Sequence, residues 1–558
     1  MKNFIKYIIP SALVLASMGL SSCAGDLDVT PIDPNQKNGS TEIADNLLNK
    51  CYANMALANQ KGPDDDDKDV DGIDGGTSGF IRQLWNANEL TTDNFVCSWG
   101  DAGIEHFNYD TFDASNPMLR GLYYRCYTGV DFCNQYINEY GGEDAEKTAE
   151  ARFLRAYYYS VLMDCFGNVP FTTAISATKP SQISRKDLFK WVVNELRSVE
   201  NTLSVPTTLP KEREDGYGRA NKYTDQLLLA RLYLNSEVYT GTARNDSALY
   251  YAKEVLKSPY KLHTTSLSTK WTPYQELFMG NNGQSGASEE SLLSLPQDGI
   301  TTTSYGTSLF MMASEQDANV MYDIVGNDTT FTNNTSEGWA GNRALPDLVK
   351  KFFPLGDAPN ATVHNMYVSA GDDRALFDGG PGKLKGTEVD KDSKRTLDVE
   401  KVGTFTNGFA VCKFNNWYSD GGKAHSAKFP DTDYFLFRLA EAYLIEAEAD
   451  ARLNGGTTTA VGTAAINALR ARAHASTKAS GSYTLDYICD EWDREFYSEL
   501  LRRPTLVRFG RFGGNNSYNW TWKGGTKNGK SFAATRNVFA IPTTDIVANG
   551  NLKQNPGY

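Results

Sequence analysis

Trp99 in Trp99-Gly100-Asp101, Tyr305 beside Gly306, Trp339 after Gly338 and the pair Trp417-Tyr418 set large rings next to turn-forming or polar residues, outside any helical stripe. A pyranose stacks its apolar face on such a ring while polar neighbours bond its hydroxyls, so together these residues suit a sugar-binding surface. For any one of them, packing into a core is the competing reading. Other reactive patterns lead to less. The histidines at 106, 263, 364, 425 and 474 are scattered, and neither His-Glu-x-x-His nor Gly-x-Ser-x-Gly occurs. Counting carboxylates neither supports nor excludes a glycosidase pair.

Gly524 to Ser531 fits the phosphate-loop spacing G-x-x-x-x-G-K-S. That motif needs a buried strand before it and a helix after it. Here it follows Tyr518-Asn519-Trp520-Thr521-Trp522 and leads into a segment with no apolar stripe, so a nucleotide site is rejected. Asp67, Asp69 and Asp71 followed by Gly72 match the opening of a calcium loop, but Ser78 stands where the bidentate glutamate is due. A solvated acidic loop is expected, with a structural calcium ion left open and no other cofactor called for. With Cys23 set aside, the seven cysteines at 51, 97, 126, 133, 165, 412 and 489 are odd in number and contain no C-x-x-C. They read as small buried residues. Arg494, Glu495, Glu499, Arg502 and Arg503 read as scaffold ion pairs. The formal net charge of -13 leaves no electrostatic footprint for nucleic acid.

The elements that must carry these residues are mostly helical. Leu154, Tyr157, Tyr158, Val161 and Cys165 share one face of a helix over 150–166 that stops at Gly167. Residues 224–239 and 247–256 form a helical pair, and 433–453 and 459–475 another, the first carrying Leu436, Leu439, Ala440, Tyr443 and Ala447 as its stripe. Such hairpins have the size of tetratricopeptide-like units. The fold class is therefore mainly α, a helical-repeat scaffold over about 40–260 and 430–515. Residues about 60–110 and 260–430 form a loop-rich region, where binding sites commonly sit.

At the N-terminus, Lys2 and Lys6 precede an apolar run ending in Leu20-Ser21-Ser22-Cys23, which is signal-peptide grammar with a lipoprotein cysteine. Residues 1–22 are the signal peptide, Cys23 the lipid anchor and 23–558 a single body. The chain also resembles the SusD/RagB family of Bacteroidetes outer-membrane lipoproteins. The likeness runs through 23–34 (CAGDLDVTPIDP), 79–95 (GFIRQLWNANELTTDNF), 150–171 (EARFLRAYYYSVLMDCFGNVPF), 430–449 (PDTDYFLFRLAEAYLIEAEA), 493–513 and 541–558.

This resemblance implies a non-catalytic oligosaccharide-binding protein on the cell surface, acting as a lid on a SusC-like TonB-dependent transporter, with an α-glucan or a fructan as the expected ligand. Asp26 and Asp28 resemble the family's surface-export signal. Carried over residue by residue, the family's starch-binding pattern falls on Asp74, Arg82, Trp99, Tyr305 and Trp339. Cys97 stands where the pattern has a tryptophan and Ala102 where it has an asparagine, so glycan binding is better supported than starch. Capture of peptides or glycopeptides by the same lid is the alternative, and a surface glycosidase a more distant one.

Overall fold

Helix boundaries follow local capping chemistry. The computed structural model describes residues 41–558 apart from 60, 65–67, 326–329, 355–365, 380–382, 385–394 and 480, so Cys23 and the leader lie outside the described residues. Met1–Leu47 and Leu48–Tyr558 cluster as separate contact units, and the following concerns the second. After α1 (Thr41–Ala56) the next long helix is α2 (Pro117–Tyr140), where the Asn116 side chain accepts the amides of Met118 and Leu119 at 3.0 and 3.1 Å. Pro117 occupies the first turn, where no N–H is needed.

Helix α3 (Ala145–Phe166) begins five residues ahead of the expected start at 150, because the Asp144 carboxylate accepts the Lys147 amide at 3.0 Å. It ends at Gly167, at φ 69°. The five stripe residues are buried, but so are Phe153, Ala156, Tyr159 and Leu162 on other faces. The reason is position: α3 packs against α2 and against α4 (Arg185–Val199), so it has little solvent side. An asparagine–threonine capping box at Asn221 and Thr224 opens α5 (Lys222–Leu234), which pairs with α6 (Asn245–Leu256). Helix α6 in turn packs on α7 (Leu439–Leu453), and α7 on α8 (Ala460–Arg472) and α9 (Leu485–Phe496).

The 433–453 segment departs from its helical reading. Tyr434–Arg438 is a strand paired antiparallel with Ser291–Leu295, and the helix starts only at Leu439. The aromatics Tyr434, Phe435 and Phe437 favour an extended chain, and the buried partner strand supplies the hydrogen bonds. Leu436 thus leaves the helical stripe. The phosphate-loop look-alike is also neither strand nor helix: Lys523–Gly525 is one 3₁₀ turn, and buried Lys523 donates to the Leu90 carbonyl at 2.6 Å. The irregular region holds a core of its own, with Trp271, Met279, Tyr322, Phe331 and Cys412 packed together and Trp417 against them.

Buried ions tie the scaffold together. Glu495 accepts from Arg472, and from Arg438 and Arg374 at 3.1 and 3.3 Å; Glu499 takes Arg438 at 2.7 Å and Lys413 at 2.6 Å. Arg494 pairs with Glu491 at 2.7 Å, Arg502 with Asp93, and Arg503 with Asp164. Burial would raise the Glu495 pKa, but Arg472, Arg438 and Arg374 together outweigh it and hold it at about 2. Removing one member of such a cluster costs about 3–5 kcal/mol because a buried charge is left uncompensated. The described cysteines are buried thiols, and burial pushes Cys97 and Cys165 up to about 12. Among the described residues no helix is long and apolar enough to cross a membrane.

Candidate binding cleft

Two three-residue strands assemble the cleft. β1 (Phe95–Cys97) pairs antiparallel with Asn342–Ala344, Cys97 opposite Asn342. The pairing continues where the Ser98 amide donates to the Gly341 carbonyl at 3.0 Å. Trp99, two residues beyond one strand, therefore lands beside Trp339, three residues before the other, with ring centroids 6.3 Å apart and planes at 60°. Gly341 is what lets them meet: it sits at φ 109°, and a Cβ there would lie 2.2 Å from the Trp99 Nε1.

Tyr305 extends the row, its ring 5.9 Å from Trp339 at 55°, with Phe429 5.7 Å behind it. Its loop docks on the start of the Phe80–Trp85 helix through a glycine contact. A Cβ on Gly79 would meet the Gly306 Cα at 2.7 Å, and the Arg82 amide donates to the Gly306 carbonyl at 3.0 Å. This places the Arg82 guanidinium over the rings of Phe310, Trp99 and Trp339, at 5.2, 5.8 and 6.0 Å. Burial lowers the Arg82 pKa, and the charges of Asp101 and Asp74 pull it back. Its Nε has no partner among the described residues, which leaves a donor free for a ligand.

Asp74, Arg82, Trp99, Tyr305 and Trp339 thus line one open cleft of about 640 Å³, together with Asp64, Gly76 and Asp101. Asp74 holds its own loop, its Oδ1 accepting the Thr77 amide at 2.9 Å and the Thr77 hydroxyl at 2.7 Å. Trp417 and Tyr418 do not join the platform. The Trp417 indole donates to the Thr332 carbonyl at 2.7 Å and the Tyr418 hydroxyl to Asp431 at 2.9 Å, so both serve packing. Asp101, next to the Trp99-Gly100 turn, and Asp64, heading the acidic run, went unnoticed as cleft residues because carboxylates are common in an acidic chain.

The calcium-loop reading finds little to rest on. Asp69 is the counter-ion of fully buried Arg125 at 3.3 Å, and Asp67 lies outside the described residues. Among the described residues no group of three or more His, Cys, Asp or Glu side chains converges on a metal position. What the cleft offers is an arc of three half-buried rings turning by 55–60° at each step, one guanidinium in its floor and carboxylates at its rim. That arrangement can grip a polyhydroxylated chain by stacking and hydrogen bonding.

The chain belongs to the SusD family, a class of non-catalytic glycan-binding proteins, and is not an enzyme. Residues 308–558 match the SusD family, and residues 77–212 a family described as starch-binding and associating with the outer membrane. The starch-binding protein SusD of Bacteroides thetaiotaomicron is 36% identical over 100% of this chain and 99% of its own length. Among solved structures, a SusD-like protein from Bacteroides fragilis superposes with a TM-score of 0.65 at 19% identity, covering 95% of this chain and 100% of its own. A surface glycan-binding protein A from Bacteroides thetaiotaomicron, solved with laminarihexaose, gives 0.63 at 19% identity over 92% and 99%. The two structures share the mainly α, tetratricopeptide-like fold of this chain.

Proposed function

We propose that the protein captures α-glucan oligosaccharides at the cell surface and passes them to a SusC-like TonB-dependent transporter, tethered by lipid on Cys23. The observation that carries the reading is the curved row Trp99, Trp339 and Tyr305 with Arg82 beneath it. A flat, ribbon-like glycan would call for nearly coplanar rings. A turn of 60° and then 55° suits a chain that winds as it extends, as α-linked glucans do. The full-length relative named as starch-binding supports the same choice over a fructan.

Sugar faces pack on the rings, and Arg82 with Asp74 and Asp101 bonds the hydroxyls. Capture should be modest, with Kd values from micromolar to millimolar, about -8 to -4 kcal/mol, so that cargo can leave. The test is titration calorimetry with malto-oligosaccharides, fructo-oligosaccharides and peptides on the intact protein and on the Trp99→Ala, Trp339→Ala double variant. Binding of malto-oligosaccharides that the double variant loses, at unchanged circular dichroism, is expected. Selective binding of fructans or of peptides would replace the α-glucan assignment, and undiminished affinity in the double variant would remove the cleft from the mechanism.

A further inference from the structure

Two charged residues outside the ring set contact Trp339 and Tyr305. Trp339 donates its indole N–H to the Glu337 Oε2 at 2.9 Å. The other oxygen of that carboxylate faces the Lys428 Nζ at 3.8 Å. The Lys428 ammonium lies 4.9 Å from the centre of the Tyr305 ring and 5.3 Å from that of Phe429. Hydrogen bonding to the Tyr305 side chain raises the Lys428 pKa, ahead of the opposing effect of its slight burial. Behind this chain of contacts, the Ser336 amide donates to the Ala427 carbonyl at 2.6 Å, joining the two loops that carry Glu337 and Lys428.

Trp339, Glu337, Lys428 and Tyr305 therefore form one connected strut across three loops. The pair contributes little to stability, because the Lys428 and Glu337 side chains are 43% and 24% exposed and stand 3.8 Å apart. Its geometry matters more than its energy. The indole has a single polar handle, and fixing that handle fixes the ring plane about its own axis. Anchored at both ends, the strut holds the 55° turn between Trp339 and Tyr305.

We infer that Glu337 and Lys428 are positioning residues which set the curvature of the aromatic arc, and so decide which glycan shapes it accepts. This rests on reading the cleft as a glycan site. A rigid, ring-closed oligosaccharide needs the arc ready-made, whereas a flexible linear one can adapt to a loosened platform, so losing preorganisation should penalise the closed ligand more. The probes are α-cyclodextrin and maltoheptaose, titrated against the intact protein and the variants Glu337→Ala, Glu337→Gln, Lys428→Met and Glu337→Ala with Lys428→Met.

Glu337→Ala should weaken the cyclic ligand by about tenfold and the linear one by about threefold or less, the scale of one lost orienting hydrogen bond. Glutamine keeps an acceptor for the indole and should recover most of that loss. Lys428→Met should add little on top of Glu337→Ala, because both act through one strut. Melting temperature and circular dichroism should stay at their wild-type values. An unchanged ratio of cyclic to linear affinity in Glu337→Ala and Lys428→Met would overturn the inference, as would additive losses in the double variant. If the intact protein bound neither sugar, the functional reading itself would fall, a distinct outcome.

Discussion

Replacing Gly341 by alanine should displace one of the platform's three rings while leaving the scaffold folded. The new Cβ would stand 2.2 Å from the Trp99 Nε1 and 2.6 Å from its Cε2, whereas ordinary contact begins at 3.4 Å, so the indole must retreat by about 1.2 Å or swing out. The φ of 109° adds a backbone cost of about 1–3 kcal/mol, which in a chain of this size moves Tm by a few degrees at most. A sugar face covering roughly 60 Å² of the ring, at about 25 cal/mol per Å², contributes about 1.5 kcal/mol, or about tenfold in Kd. Calorimetry with maltoheptaose alongside a thermal melt should therefore show a tenfold weaker, still folded protein. In a Trp99→Ala background the same alanine has nothing to displace and should cost no further affinity, which separates the ring from general damage. A Gly341→Ala protein that melts a few degrees lower yet binds as tightly as wild type would refute the reasoning, because the ring would then have moved without consequence.

Glu495, held at about 2 against an ordinary 4.5 by Arg472, Arg438 and Arg374, contributes stability that is present above about 4.5 and lost as pH falls toward 2. Urea unfolding should lose about 3 kcal/mol from this group across that window, and a flat profile would contradict it. Glu315 runs the other way, since burial raises it to about 8; the fold keeps a proton that the unfolded chain gives up above about 4.5, so stability falls as pH climbs from there to 8. Glu315→Gln should remove that slope and gain on wild type with rising pH, and parallel profiles for the two proteins would count against the assignment. Cys23→Ala should move the protein out of the detergent phase in a phase-partition assay, and unaltered partitioning would rule out lipid as the tether.

The parts of the site legible from sequence were those with a local signature. Trp99, Tyr305 and Trp339 betray themselves because a large ring beside a glycine turn has no helical stripe to join. That they share a cleft was not readable from spacing, since it depends on a three-residue ladder between 95–97 and 342–344, too short to show alternation. Glu337 and Lys428 are ordinary exposed charges in the sequence and acquire a role only through contacts 2.9 to 4.9 Å long. In the scaffold, capping residues fix the ends of α2 and α3 from a few neighbouring letters. The strand at 434–438 was missed because its pairing partner lies more than 130 residues upstream, and a short aromatic run fits either period. Arg494 to Arg503 read correctly as ion pairs by type, but the partners Asp93 and Asp164 come from another part of the chain.

Those distant partners have a temporal meaning. The Trp85 indole donates to the Ser498 hydroxyl at 2.9 Å, the Asn88 amide to the Leu500 carbonyl at 2.9 Å, and the Asn94 amide to Asp493 at 2.8 Å, across 413, 412 and 399 positions of sequence. Contacts so far apart cannot form until residues 493–500 have been made, and they close late because the loop entropy comes first. The Phe80–Trp85 helix, which presents Arg82, thus waits for the segment around Ser498. A chain cut before Asp493 would lack these three supports beneath its cleft, so ligand capture should fail there even though the helical pairs upstream have their own partners.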